Sequence, residues 1–555
     1  MTLPSRTSSP LRREDPSAPT PLSSGQQRLW FLHQLHGTSG EYHIPEAFRL
    51  RGPLDQEALR HALDSVVARH GSLRTRFGEV DGRLVQESVA PRPVALPVTD
   101  LTGDAPADRS EQVTQALRQE WQRPFDLAAG ALLRARLLRT AENEHILLLT
   151  THHMASDGWS QEVLRRELGA LYAERRRGGT PPAHLPLPLQ YADYAVWQRA
   201  RLDAGDVDEA LAYWQDHLTG LPDLLEIPAD RPRGTRATST GGVLTTVVDA
   251  ELVSALKRAG AATGATLYMT LLAGYAVLLA RCSGQQDLAV GTPVANRNKA
   301  ELENVIGFFA NTVAVRVCVP PGSTFQEVLA HTRSAALRAY EHQEAPFDRV
   351  VERVSPSRHL NRTPLFQVLF TLHPFAASGL NLVGLDVTPL ELTEVRARFD
   401  LELHVQEDNS GAQAHWVYDE ALFDRSRVAH MAGEYRRLLE QVARDPGTPV
   451  DRLVPAHPLA PRHAVEPAAP PAPTKRTAPP GAARSRYEEA LAPLFAEVLG
   501  LPEVGLDDSF FALGGHSLMA MSLTARIQEQ LGVELAVRDI FEAPTVAELA
   551  VHMGG

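Results

Sequence analysis

A proline- and alanine-rich stretch cuts this chain in two, and no single core can run through it. Pro455 to Pro480 holds nine Pro and seven Ala in 26 residues. Proline fixes φ and has no amide donor, so the stretch suits neither a helix interior nor a central strand. It reads as a semi-extended linker, residues 455–484, able to reach ~80 Å at ~3.1 Å per residue. A unit of about 435 residues precedes it and one of 71 residues, 485–555, follows. At roughly 150 residues per folding unit, the larger part exceeds one core, so two lobes are expected, residues 21–205 and 206–454.

Composition narrows the class. Hydrophobic residues are 43% and charged residues 22% of the 555, a globular balance. No run approaches the ~18 apolar residues of a membrane helix. Residues 1–20 lack the apolar centre of a secretory leader and read as a disordered tail. Two cysteines, Cys282 and Cys318, exclude a disulfide scaffold and make the cytoplasm the expected compartment. The net charge of −12 argues against nucleic acid as a main partner. Residues 486–555 carry three Arg, no Lys and eleven acidic residues, so most of that charge sits in the last unit. A small acidic body suits docking on basic partner surfaces.

Helical and strand patterns interleave in the large unit, which indicates an α/β fold. Asp55–His70 carries an apolar stripe at Leu59, Ala62, Leu63, Val66 and Val67. Leu271–Ala280 is an apolar helix region. The runs HILLLTT (145–151) and FQVLFTL (366–372) read as buried strands. The small unit reads as all helix: 487–499, stopped by Gly500 and Pro502, then 516–531 and 545–552.

Two places carry chemistry. The first strand runs into His152-His153-Met154-Ala155-Ser156-Asp157-Gly158. A buried strand ending in two imidazoles and a carboxylate can set polar groups at the mouth of a cavity, and histidine suits proton transfer near neutrality. Asp157 can fix the loop or orient a ring, and Gly158 permits close backbone approach. A histidine pair that merely caps a strand is the competing reading. A metal site is disfavoured, because the spacing is not that of a zinc-binding helix. The second place is Asp508-Ser509-Phe510-Phe511-Ala512-Leu513-Gly514-Gly515-His516-Ser517-Leu518. Ser517 can be a simple helix cap. It can equally hold a phosphodiester, which a helix N-terminus favours, beside an approach opened by two glycines.

The His-His-x-x-x-Asp-Gly pattern after a strand resembles the acyltransferase superfamily of chloramphenicol acetyltransferase and the condensation domains of nonribosomal peptide synthetases. Further stretches resemble condensation domains in the family's order: LSSGQQRLWFLHQL (22–35), YHIPEAFRLRGPLD (42–55), RHGSLRTRF (69–77), YADYAVWQ (191–198), GTPVANR (291–297), IGFFANT (306–312), HQEAPFDRV (342–350) and PLFQV (364–368). The resemblance implies two chloramphenicol acetyltransferase-like lobes in a V around a tunnel. It implies that His153 is the catalytic histidine, with His152, Asp157 and Gly158 completing the motif, and that Arg297 is the ion-pair partner of Asp157. His153 would take a proton from an attacking amine or hold the amine by a hydrogen bond; both remain open. Thr151 in place of a third histidine, and the absence of Asp-x-x-x-x-Asp, disfavour β-lactam formation and heterocyclisation. The subtype joining an L donor to an L acceptor is the most similar. An epimerase shares the motif but ordinarily follows its carrier.

The second stretch resembles the peptidyl carrier motif. That implies a four-helix carrier bundle, phosphopantetheine on Ser517, and a phosphopantetheinyl transferase as partner. An adenylation domain would ordinarily stand between the two parts, so a standalone adenylation enzyme is expected to load this carrier and an upstream donor carrier to bring the acyl group. A two-lobed enzyme has no need to self-associate, and a monomer is expected. Two alternatives stand beside peptide-bond formation: acylation of a soluble amine or alcohol from the chain's own carrier, and a non-catalytic platform recruiting tailoring enzymes.

Overall fold

The computed structural model describes residues 11–15, 18–36, 40–178, 186–234, 240–354, 362–373, 379–390, 395–408, 410–453, 486–511, 513, 517–533 and 535–554. The linker 455–484 and most of the stretch read as a disordered tail lie outside them. In the rest of that stretch the Glu14 amide donates to Asp193 Oδ1 at 2.8 Å, and Thr20 opens the short strand Thr20–Pro21.

The chain divides into two compact units. The first comprises residues 1–25, 40–77 and 86–464 and is mixed α/β, built on two large sheets. One has five strands in the order Asp386–Pro389, His43–Arg51, Glu144–His152, Leu133–Ala141, Val98–Asp100. Glu144–His152 is its centre and is buried at every position but the first, as the continuous apolar run requires. Its edge strand Asp386–Pro389 comes from far along the chain. Helix Gln56–Arg69 turns its stripe (Leu59, Ala62, Leu63, Val66) to the interior and starts at Asp55, whose carboxylate accepts from Ala58 N at 2.9 Å.

The other sheet has seven strands, in the order Asn311–Cys318, Asp287–Val294, Val368–His373, Leu401–Asp408, Gly411–Asp419, Thr240–Asp249, Val395–Arg396. Val368–His373 runs parallel to both of its neighbours, and the others pair antiparallel. Helix Leu267–Ser283 is its centrepiece. Thirteen of its seventeen residues are buried, which is why its sequence is apolar all round instead of striped. Among the described residues no helix is long and apolar enough to cross a membrane.

The second unit comprises residues 26–39, 78–85 and 465–555. Its C-terminal part is helical: Arg486–Leu499, Ser517–Leu531, Val537–Glu542 and Val546–Gly554. These helices close over Leu491, Phe495, Phe510, Leu523, Ile527, Ile540 and Leu549. Gly500 ends the first of them at φ 67°, a conformation that glycine adopts without strain. The short Val537–Glu542 is too brief to leave a periodic signature in the sequence.

Candidate active site

His152 closes the central strand and His153 begins the turn that follows. The register pairs His152 with His43 of the neighbouring strand. The His152 ring is buried and lies edge-on to His43 (centroids 5.9 Å) and Phe125 (5.6 Å). Its Nδ1 accepts from the Met154 amide at 3.2 Å, so the neutral ring carries its proton on Nε2. His152 thus braces the turn from inside. His153 is set differently. Its amide donates to Tyr42 O at 2.8 Å, and its ring stands edge-on to Phe308 with centroids 5.1 Å apart. The ring is half-buried, and Arg398 Nη1 lies 3.4 Å from Nε2.

Asp157 caps helix Gly158–Arg176 and is saturated by donors. Oδ1 accepts from Ser160 N (2.8 Å) and Arg297 Nη2 (3.2 Å). Oδ2 accepts from the amides of Phe309 (2.9 Å) and Ala310 (3.0 Å). Arg297 is equally committed. Its Nη1 donates to Leu302 O and Val305 O at 2.6 and 2.7 Å, its Nη2 also donates to Ser160 Oγ at 2.7 Å, and its guanidinium lies 4.0 Å from the centre of the Phe309 ring. Both side chains are 2% exposed. The pair therefore ties the histidine turn to the 302–310 segment instead of facing a reactant. Asp157→Ala leaves Arg297 charged and buried, which is expected to cost ~3–5 kcal/mol. Urea unfolding of the purified chain checks this; a loss under ~1 kcal/mol would show that the pair does not hold the turn.

Ser160 has no prominence in the sequence, yet it is the knot of this network. Its hydroxyl donates to Gly307 O at 2.8 Å and accepts from Gly307 N and Arg297. Gly307 is required by space: a Cβ there would stand 2.0 Å from the Tyr191 ring. Tyr191 in turn donates to Phe308 O at 2.7 Å, beside the ring that flanks His153. Gly158 differs from expectation. Among the described residues a Cβ there would meet nothing within 4 Å beyond its own helix and chain neighbours, and its φ is not positive. What it leaves is open space at the start of the helix.

Ser517 is the first residue of a fifteen-residue helix. A helix N-terminus is a position that favours a phosphodiester. Among the described residues no group of three or more His, Cys, Asp or Glu is arranged to hold a metal.

Comparison with known proteins adds to this geometry. A family model described as condensation domain matches residues 17–458, and one described as phosphopantetheine attachment site matches 489–553. One of the linear gramicidin synthase polypeptides of Brevibacillus parabrevis is 42% identical over 435 residues, 78% of this chain but 6% of that protein. Phosphinothricin tripeptide synthetase PhsC of Streptomyces viridochromogenes is 39% identical over 437 residues, covering 79% of this chain and 40% of that one. The chain thus spans well under half the length of these relatives. Among solved structures, the X-domain from teicoplanin biosynthesis superposes with a TM-score of 0.72 at 30% identity, over 80% of this chain and 98% of that one. The condensation domain of the monacolin K polyketide synthase MokA gives 0.68 at 25% identity, over 78% and 99%.

Proposed function

The chain belongs to the condensation-domain family of the nonribosomal peptide synthetases, with a phosphopantetheine carrier domain behind it, and from that premise we propose that it forms an amide bond and keeps the product on its own carrier. Its setting is secondary-metabolite biosynthesis. The observation that carries the reading is His153: a half-buried imidazole on a turn locked by the Asp157–Arg297 pair.

Phosphopantetheine would be held on Ser517, where its terminal thiol would supply the group that carries an amino acid. The chain's residues do the rest. A free α-amine has a pKa near ~8, so most of it is ammonium at neutral pH and must shed a proton to react. The amine attacks the donor's acyl carbon; the C–N bond forms, the C–S bond breaks, and the thiol leaves. His153 Nε2 accepts the amine proton and returns it to the departing sulfur. Phe308 and the backbone around Tyr42 hold the ring in place. Because a thioester is already activated, orienting two tethered reactants supplies much of the rate.

Residues 459–488 alone separate the two matched segments, which leaves no room between them for an adenylating domain. In this reading a separate adenylating enzyme loads the carrier, an upstream carrier brings the acyl group, and the cytoplasm houses the reaction. Tethering keeps the chain's own carrier at ~mM effective concentration, which favours it as acceptor. A second reading, a platform that recruits a tailoring enzyme, draws on the likeness to the teicoplanin X-domain, solved also in complex with OxyB. Intact-protein mass spectrometry separates the readings. The chain is primed with a phosphopantetheinyl transferase and aminoacyl-coenzyme A, then mixed with an acyl-loaded donor carrier. Acyl mass gained on this chain supports the proposal. Acyl mass passing from this chain to a soluble amine, or no transfer at all over a panel of amino acids, contradicts it.

A further inference from the structure

Arg398 is separated from His153 by 245 residues, yet its guanidinium is within hydrogen-bonding range of the imidazole. Its loop is pinned. The amides of Arg398 and Phe399 both donate to Glu402 Oε1, at 2.8 and 3.3 Å. Glu402 is 2% exposed, and its Oε2 lies 2.9 Å from His404 Nε2. Burial pushes that carboxyl up, but the donors from His404 and Arg398 outweigh it and hold it below the usual carboxylate range. Asp400 is paired with Arg233, and Phe399 stacks on Phe366 with centroids 5.6 Å apart. A loop fixed at three successive residues therefore sets the backbone from which the exposed Arg398 side chain reaches His153.

We propose that Arg398 is the positioning residue of this site: before the acceptor amine arrives, its N–H donates to His153 Nε2, holds that nitrogen as an acceptor with the ring proton on Nδ1, and occupies the place that the amine then takes. This deepens the proposed function and rests on the role given there to His153. The physical case has two parts. A guanidinium carries five N–H groups and accepts nothing, so the ring nitrogen facing it must be the acceptor. A positive charge 3.4 Å away also opposes protonation of the ring and disfavours an incoming ammonium relative to the neutral amine. Among the described residues, the charged and titratable groups named around this turn and loop have partners of their own. Asp157 is held by Arg297, Ser160 and two amides. His152 accepts from Met154, and His43 Nδ1 meets Trp121 O at 2.7 Å. Asp400 and Glu402 have the partners already given.

Arg398→Gln, Arg398→Lys and His153→Ala test this in the full, primed chain, with the arm loaded from a panel of aminoacyl-coenzyme A thioesters and an acyl-loaded donor carrier. Arg398 is exposed, so neither Arg398 variant should change the thermal midpoint. Two readouts are taken: the acidic limb of the kcat/KM–pH profile, and an NMR titration of the His153 ring, assigned by its disappearance in His153→Ala. Arg398→Gln is expected to move both upward by about one pH unit, while Arg398→Lys, which keeps the charge, leaves them near the parent. An unmoved ring titration in Arg398→Gln, or an equal shift in the lysine variant, overturns the proposal. Because the titration needs no turnover, it judges Arg398 even if His153→Ala proves active, a result that would sink the role of His153 instead.

Discussion

Ser517→Ala is expected to gain no phosphopantetheine under any priming condition and to retain no product, a complete loss. The modification replaces a hydroxyl proton, and alanine has no oxygen to receive the group. The competing role for this serine is a helix cap. A cap contributes about 1 kcal/mol, so its removal would shift the melting of the C-terminal bundle while leaving priming intact elsewhere. Intact mass after incubation with coenzyme A and a phosphopantetheinyl transferase decides between them. An unmodified variant beside a fully modified parent supports attachment at Ser517. A variant that takes up the group as the parent does would place the attachment on another residue.

His153→Ala is the second large effect. General acid–base assistance by one positioned side chain contributes ~10²–10⁴ in rate, and a loss in that range is expected for acyl transfer at saturating donor carrier. Stability should change little. The ring is only half-buried and touches Phe308 edge-on, so alanine leaves a gap that solvent can reach instead of a sealed cavity. Asp157→Ala contrasts with this. There the fold itself weakens, because a buried arginine loses its counter-charge. A His153 variant that unfolds as readily as the Asp157 variant, or that transfers at the parent's rate, would show that this imidazole is structural.

Much of this is legible in the sequence. The strand leading to His152 is buried, and a continuous apolar run flanked by polar turns announces that. The Asp157–Arg297 contact spans 140 residues and follows from motif resemblance alone. Other parts carry no local signal. Ser160 is one serine on a helix, and only the fold brings Gly307 and Arg297 to its hydroxyl. Arg398 stands in a loop whose sequence resembles any charged turn, and its meaning comes from a contact with a residue 245 positions away. Gly158 reads in the sequence as a point of close approach, whereas the tight spot is Gly307, against Tyr191. Spacing along a chain reveals periodic burial well; it says little about which distant backbone will press on a given residue.

The claim beneath all of this is that nitrogen replaces sulfur on a single acyl carbon within this chain. The most direct measurement is to run one turnover with defined acyl and aminoacyl arms, cleave every thioester with mild base, and identify what is released. Amide formation predicts a single N-acyl amino acid, recovered from this chain and absent from the donor carrier. Acyl group and amino acid released as two separate molecules would contradict it.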